Sequence, residues 1–327
     1  MAMTIGGSNG ITFPNGTNTA ATDVTTQFGP NITDTANVMT VNSLTLSTPV
    51  EFSGSNGVVI ANTTTPNGVF AFNLTTATDV NLATAATAAG WNGASPVYAT
   101  IPAGNKISAT TTANAALTIS GSFPYGVRLY NLGTIEGQGG LGGKGVNGVS
   151  LGSVGTVTPS PQTPTFNGGA GGIGLSVSVA VTVDNTSGVI SGGGGGGGGG
   201  GDGGWNGGVG IGGGGGGGGA GGAGGGFGSP GSSVGAPASV SAPGTAGTAT
   251  TAGTGGAGIF WTNGNAVAQG GNGAAGGALG TAGGAGTSGG GSSNGTTGGA
   301  AGAAGSSVSG NANITWVSTG TRNGPVV

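Results

Sequence analysis

The chain has 327 residues, 87 of them Gly, with four Lys or Arg against seven Asp or Glu and neither His nor Cys. A thiol nucleophile, a disulfide framework and a zinc site built on nitrogen and sulfur ligands are thereby excluded. Four basic side chains cannot neutralise a phosphate track, no apolar run approaches the ~20 residues of a membrane span, and nothing around Met1 to Gly7 reads as a secretory signal. The composition predicts a protein made in the cytoplasm without a signal peptide. It binds no nucleic acid, cofactor or metal and inserts in no membrane.

Residues 1–69 read as short extended segments rich in Thr, Asn and Val, at 11–13, 38–46 and 57–61. Turn signals separate them, such as Pro14-Asn15-Gly16 and Pro66-Asn67-Gly68. Val41, Leu44 and Leu46 offer a narrow apolar stripe and no deep core. Strands of this kind lose their open edges when copies intertwine. A fibre-like attachment region and a homotrimer follow as expectations.

Residues 70–135 predict a small α+β connector. A helix is expected over 79–90, with Asp79 capping its start and Gly90 ending it. Strand-like pieces lie at 69–74, 97–101 and 116–120. Trp91, just past Gly90, reads as a helix-end packing residue.

Residues 136–327 are of another kind, since 76 of the 87 glycines lie beyond residue 120. A repeat runs through this half. Strand-forming residues lead to a turn rich in Asn, then to one or two apolar residues and a glycine tract, at 129–137, 181–192 and 260–270. Within the tracts Gly recurs every third residue, as at Gly139, Gly142, Gly145 and Gly148, and the runs 192–201 and 212–219 are uninterrupted Gly.

A period of three is that of the polyproline-II helix, which makes no internal hydrogen bonds. Its backbone groups must find partners in neighbouring helices or in water. Collagen is excluded, because Pro is only 14 residues and the Gly register breaks repeatedly. A disordered linker is the competing reading. Against it stand the strand-like inserts and the scarcity of charge. The fold class expected is therefore mostly β or irregular: a β-rich N-terminal stem, the α+β connector at 70–135, and a C-terminal polyglycine-II helix sandwich with short strands between tracts.

The lead-in Asn131-Leu132-Gly133-Thr134-Ile135-Glu136-Gly137-Gln138-Gly139-Gly140 resembles that of the glycine-rich domain of phage receptor-binding adhesins. The segment 82–93, followed by Pro96-Val97, looks like the module preceding that domain in phage tail proteins. The opening 10–17 resembles the short repeats of trimeric tail fibres. The resemblance implies a virion tail-fibre protein similar to the tip adhesins of T-even-type phages. There, loops projecting from a polyglycine-II sandwich touch a host receptor, either an outer-membrane protein or a glycan. It also implies other tail-fibre or baseplate proteins as partners.

On that reading the inserts between tracts are the recognition loops. Asp202, Trp205 and Asn206 interrupt two glycine runs, while Phe227 and Pro230 end the next. Phe166 closes the longest non-glycine insert, 151–166, which holds Pro159, Pro161 and Pro164. Aromatic anchors among small polar residues suit sugar stacking or paratope-like contact. Phe260 and Trp261 read instead as core residues of a repeat strand, and Trp316 as part of a final structural strand. Dispersed carboxylates and the lack of His argue against catalysis. The alternative to an adhesin is a purely structural fibre or baseplate component without receptor contact.

Overall fold

The computed structural model describes residues 68–148, 166–205, 209–211, 213–222, 224–231, 241–263, 266–291 and 295–327, together with six short strands nearer the N-terminus. These are β1 (Thr4–Ile5), β2 (Ile11–Thr12), β3 (Asn18–Thr19), β4 (Ile32–Thr35), β5 (Val38–Val41) and β6 (Val59–Ile60). β1, β2 and β3 form an antiparallel sheet, and β4 and β5 form a hairpin joined in parallel by β6. The rest of the region expected to be stem-like lies outside the described residues.

Two compact units divide the chain. The smaller comprises residues 1–71, 87–98 and 123–127. Here Trp91 stacks on Phe123 with ring centroids 5.3 Å apart, and its indole N–H donates to the Ser95 carbonyl at 2.9 Å. The larger unit comprises 72–86, 99–122 and 128–327 and holds the glycine-rich half.

Strands β7 (Phe70–Asn73), β8 (Ala77–Thr78) and β9 (Val80–Asn81) are followed by the helix α1 (Leu82–Ala88). Next come β10 (Val97–Ile101), β11 (Lys106–Ser108), β12 (Leu117–Ile119), β13 (Val127–Asn131) and β14 (Thr134–Glu136). Beyond a first glycine-rich insertion lie β15 (Leu175–Val177), β16 (Val181–Asp184) and β17 (Val189–Ser191). A second insertion contains β18 (Gly203–Trp205), β19 (Val209–Ile211), β20 (Phe260–Asn263), β21 (Ala266–Gln269) and β22 (Gly290–Gly291). The chain closes on β23 (Val308–Ser309), β24 (Ile314–Ser318) and β25 (Thr321–Asn323).

Three sheets result, ordered β7-β10-β13-β16-β24, β8-β11-β14-β17-β25 and β9-β12-β15-β23. Pairing is parallel throughout the second and third, and from β13 to β24 in the first. Successive strands fall on successive sheets, so the chain winds as a three-sided parallel solenoid. Alternate side chains point inward, and the register stacks like on like. Ile107, Ile135 and Ile190 align, as do Leu117, Leu175 and Val308, and all six are fully buried. Residues 70–135 therefore form the first coils of a solenoid that reaches residue 323, where the sequence had suggested a separate connector.

The helix is shorter than expected at 82–88, and its cap is different. Asn81 takes the Thr84 amide on Oδ1 at 3.1 Å. Asp79 instead adopts φ +49°, accepts the Thr110 amide at 3.0 Å and takes the Thr110 hydroxyl. The Asp79 carboxylate is taken up by Thr110, and Asn81, the residue directly before Leu82, caps the helix instead.

At one corner of the solenoid the repeated Asn residues form a buried ladder. Asn131 Nδ2 donates to Asn185 Oδ1 at 2.7 Å, and Asn185 Nδ2 donates to the Thr319 carbonyl at 2.8 Å. The repeats at 129–137 and 181–192 are thus successive rungs. The third rung is 314–323, whereas 260–270 forms an antiparallel hairpin in which Phe260 pairs with Gln269 and Asn263 with Ala266.

The insertions fill the connections from β14 to β15 and from β17 to β23. Among the described residues they form ten extended tracts: 137–146, 166–174, 192–201, 213–221, 224–231, 241–248, 252–259, 270–278, 281–289 and 295–306. Within 192–201 every N–H donates and every C=O accepts, with donor distances of 2.7–2.9 Å. The donors rotate with a period of three: 193, 196 and 199 bond the tract at 166–174, 194, 197 and 200 that at 213–221, and 195, 198 and 201 that at 281–289. Carbonyls of the same tract accept from 137–146, 270–278 and 295–306. Six neighbours surround it, and six likewise surround 213–221. The bonding pattern arranges the tracts in three layers, with 166–174, 137–146 and 224–231 outside one face and 281–289, 270–278 and 252–259 outside the other.

So close an approach requires Gly. A Cβ on Gly196 would overlap the Leu141 carbonyl.

Candidate functional site at the distal end of the glycine tracts

The solenoid supplies one end of four of the tracts. Gly137, Gly174, Gly192 and Ser307 abut solenoid strands, and the turn at 221–224 is fastened there by two side chains. Glu136, buried at the end of β14 and paired with Lys106 at 2.7 Å, accepts the Gly222 amide at 3.0 Å. Gln138 donates to the Gly224 carbonyl at 2.7 Å. The turns at 248–251 and 278–281 close at the same level by short local bonds.

Because tract follows tract up and down, the remaining connections gather at the opposite, distal end. Gly201 bonds Thr287, Val146 bonds Gly200, Gly213 bonds Val146, Gly214 bonds Gly271, and Gly231 bonds Gly213. The described tract ends on either side of 149–165 and 232–240 lie there, as do the described parts of the connections at 202–212, 260–269 and 290–294. Two carry hairpins: β18 pairs with β19, and β20, β21 and β22 form an antiparallel sheet. β18 packs on β21 and β22.

Trp205 ends β18 at this end, opposite Val209. Asn206 and residues 151–165 of the longest insert lie outside the described residues. Phe166 sits half-buried at the distal end of its tract, where its carbonyl accepts the Gly199 amide at 2.9 Å. Pro230 is half-buried beside Ser229, whose carbonyl accepts the Gly145 amide at 2.9 Å. Asp202 is distal but turned inward, only 5% exposed, with its carboxylate taken up by Thr296.

Phe227 is not in a loop. Bonds at Gly226 and Gly228 hold it mid-tract on the outer face of a layer, 54% exposed. Exposed Leu141 lies next to it, since a Cβ on Gly226 would meet Leu141 Cδ2 at 2.9 Å.

Sequence reasoning missed Phe260. Expected in a core strand, it is 61% exposed in the distal sheet. Alternation in β20 explains this, because Trp261 pairs with fully buried Ala268 while Phe260 and Thr262 face out. A turn of Asn263-Gly264-Asn265 between apolar alternations was the available signal for a hairpin. Trp316 does lie in the last strand of its sheet, donating to Asn311 Oδ1 at 2.9 Å, with Arg322 5.0 Å above its ring.

The distal end thus offers aromatic and small polar side chains on backbone hairpins. Among the described residues no group of three or more acidic, His or Cys side chains is placed to hold a metal ion. No helix among them is long and apolar enough to cross a membrane.

A comparison with curated protein sequences finds no match. Among solved structures, the chain is similar to one in the gp37–gp38 adhesin tip complex of the bacteriophage S16 long tail fibre. The two are 20% identical over 79% of this chain and 82% of that one, with a TM-score of 0.37. Residues 69–327 match the family described as phage tail fibre adhesin Gp38. With most of its length inside that match, the chain belongs to the phage tail fibre adhesin Gp38 family and is a protein of the virion tail.

Proposed function

We propose that this adhesin recognises the host cell surface through the distal loops of its glycine tracts, and does so without catalysis. The observation that carries the reading is topological. Ten tracts end together, and the connections at the distal end hold Trp205, Phe260 and Trp261 at the end of the tracts away from the solenoid. Loops held on a rigid frame are where recognition residues concentrate.

The frame is a stack of polyglycine-II helices. The period-three rotation of hydrogen bonds and the six-neighbour packing around 192–201 support that identification. Residues 1–69 attach the protein to, or build, the fibre as a trimeric stem. The solenoid coils of 70–135 lead from that stem, and 136–327 carry the recognition end. Other tail-fibre proteins are the partners on the stem side, and the receptor is an outer-membrane protein or a glycan. With charge so scarce, binding rests on aromatic contact, shape and backbone hydrogen bonds, so its dependence on salt is weak.

The test is binding of fluorescently labelled full-length protein to cells of a susceptible bacterial strain. Trp205→Ala combined with Phe260→Ala is expected to lose binding with circular dichroism unchanged, while Phe227→Ala, on the flank, keeps it. Retained binding by the double variant, with loss by Phe227→Ala, would move recognition to the flank of the tracts. Retained binding by both would favour a structural fibre component.

A further inference from the structure

Asp202 stands out among the few charges of the glycine-rich half. It is 5% exposed, and Lys106 with Glu136 make the one ion pair found among the described residues, so its carboxylate is buried without a cation. An isolated carboxylate is costly to bury unless hydrogen bonds compensate. Among the described residues they all come from one, Thr296. The Asp202 amide donates to Thr296 Oγ1 at 3.0 Å, and that hydroxyl donates to Asp202 Oδ1. The Thr296 amide reaches both the Asp202 carbonyl, at 3.0 Å, and Oδ1, at 3.2 Å. Thr296 is itself 8% exposed.

The two residues stand at the roots of different distal loops. Asp202 joins tract 192–201 to the β18–β19 hairpin. Thr296 follows the connection at 290–294, and its carbonyl accepts the Gly289 amide at 3.0 Å, just before β22. The next residue after Asp202, Gly203, lies so close to the Gln269 carbonyl at the end of β21 that a Cβ would overlap it. One buried side chain therefore ties together the bases of the 202–212 and 290–294 connections, and the adjacent Gly203 packs against the end of β21 in the third. Charge-assisted bonds are shorter and stronger than neutral ones, and a recognition surface depends on support held to fractions of an ångström.

We infer that Asp202 is a positioning residue: clamped to Thr296, it fixes the spacing and orientation of the two recognition loops whose bases it joins without itself touching the receptor. This rests on the reading of the distal end as the recognition surface.

Binding of labelled full-length protein to cells of a susceptible strain tests it, using Asp202→Ala, Asp202→Asn, Thr296→Val, Thr296→Ser and the Asp202→Ala/Thr296→Val double variant. Asp202→Ala and Thr296→Val are each expected to bind roughly tenfold more weakly. Their combination should bind no more weakly than the worse single variant, because both break one clamp. Asp202→Asn keeps the Oδ1 acceptor and Thr296→Ser keeps the hydroxyl, so both should bind within about twofold of the parent. Far-ultraviolet circular dichroism should be the same in all.

Loss of binding in Asp202→Asn together with full binding by Thr296→Val would overturn the inference and make the carboxylate a receptor contact. Full binding by every clamp variant, while Trp205→Ala/Phe260→Ala loses it, would overturn the clamp's role and leave the recognition surface standing. Full binding by that aromatic pair as well would overturn both.

Discussion

Two regions of this chain solve the same problem by opposite means. In the solenoid, side chains make the core: Ile107, Ile135 and Ile190 stack from coil to coil, and the backbone pairs only along each sheet. In the tract at 192–201 there are no side chains and the backbone is the core, with every peptide group of 193–201 paired to one of six neighbouring tracts. Ordering Gly costs about 0.5–1 kcal/mol more than ordering Ala. A net gain of about 1 kcal/mol per hydrogen bond offsets this only where pairing is complete. The solenoid tolerates a change of apolar shape, and the tracts tolerate almost no added atom.

Substitutions can break or sharpen this contrast, and the largest effect belongs to the tracts. Gly196→Ala places a methyl on the Leu141 carbonyl and is expected to destabilise the tracts by more than about 4 kcal/mol, read as loss of soluble folded protein or of the thermal transition. Gly290→Ala, where nothing lies within 4 Å, should leave the melting temperature nearly unchanged. Equal tolerance at both positions would dissolve the distinction.

In the solenoid, Ile135→Ala should cost about 2–5 kcal/mol and Ile135→Val about 0.5–1.5 kcal/mol in denaturant unfolding, because only volume is lost. Asn185→Ala removes the middle of the corner ladder and leaves the Asn131 amide without its 2.7 Å partner. About 1–3 kcal/mol is expected by the same measurement.

The smallest effect is electrostatic. The Thr186 hydroxyl and amide, with a lesser pull from Arg128, hold the exposed Asp184 carboxyl below its ordinary value of 3.8. A lowered native pKa contributes stability that is present above the unfolded value and lost as pH falls through the native one. Asp184→Asn should slightly lower stability at neutral pH and flatten the acid limb of a stability-against-pH curve, so that variant and parent converge at low pH.

Much of the solenoid was legible. The strand at 97–101 follows from its alternation, and the Asn-centred repeats at 129–137 and 181–192 are true rungs. The third rung escaped because 314–323 has no Asn at its corner. Gly320 turns it at φ +49°, packed against Asn185. Local sequence made 260–270 look equivalent, yet a tight turn folds it back on itself. The period of three was visible in the tracts, but their neighbours were not, since a bare backbone carries no pairing code.

That same blankness misplaced two side chains. Phe227 can stand mid-tract because its position faces solvent, so an aromatic residue need not mark a loop. Asp202 interrupts the glycines as a loop residue would, but its partner lies 94 positions away at Thr296.

Amide hydrogen exchange on the full-length protein tests the contrast most directly. If the tracts are a hydrogen-bonded core, peptides spanning 192–201 and 213–221 exchange as slowly as the buried solenoid strands β14 and β17, and the distal connections exchange first. Exchange across 192–221 at the rate of a free glycine peptide, beside a protected solenoid, would contradict a folded frame for the recognition loops.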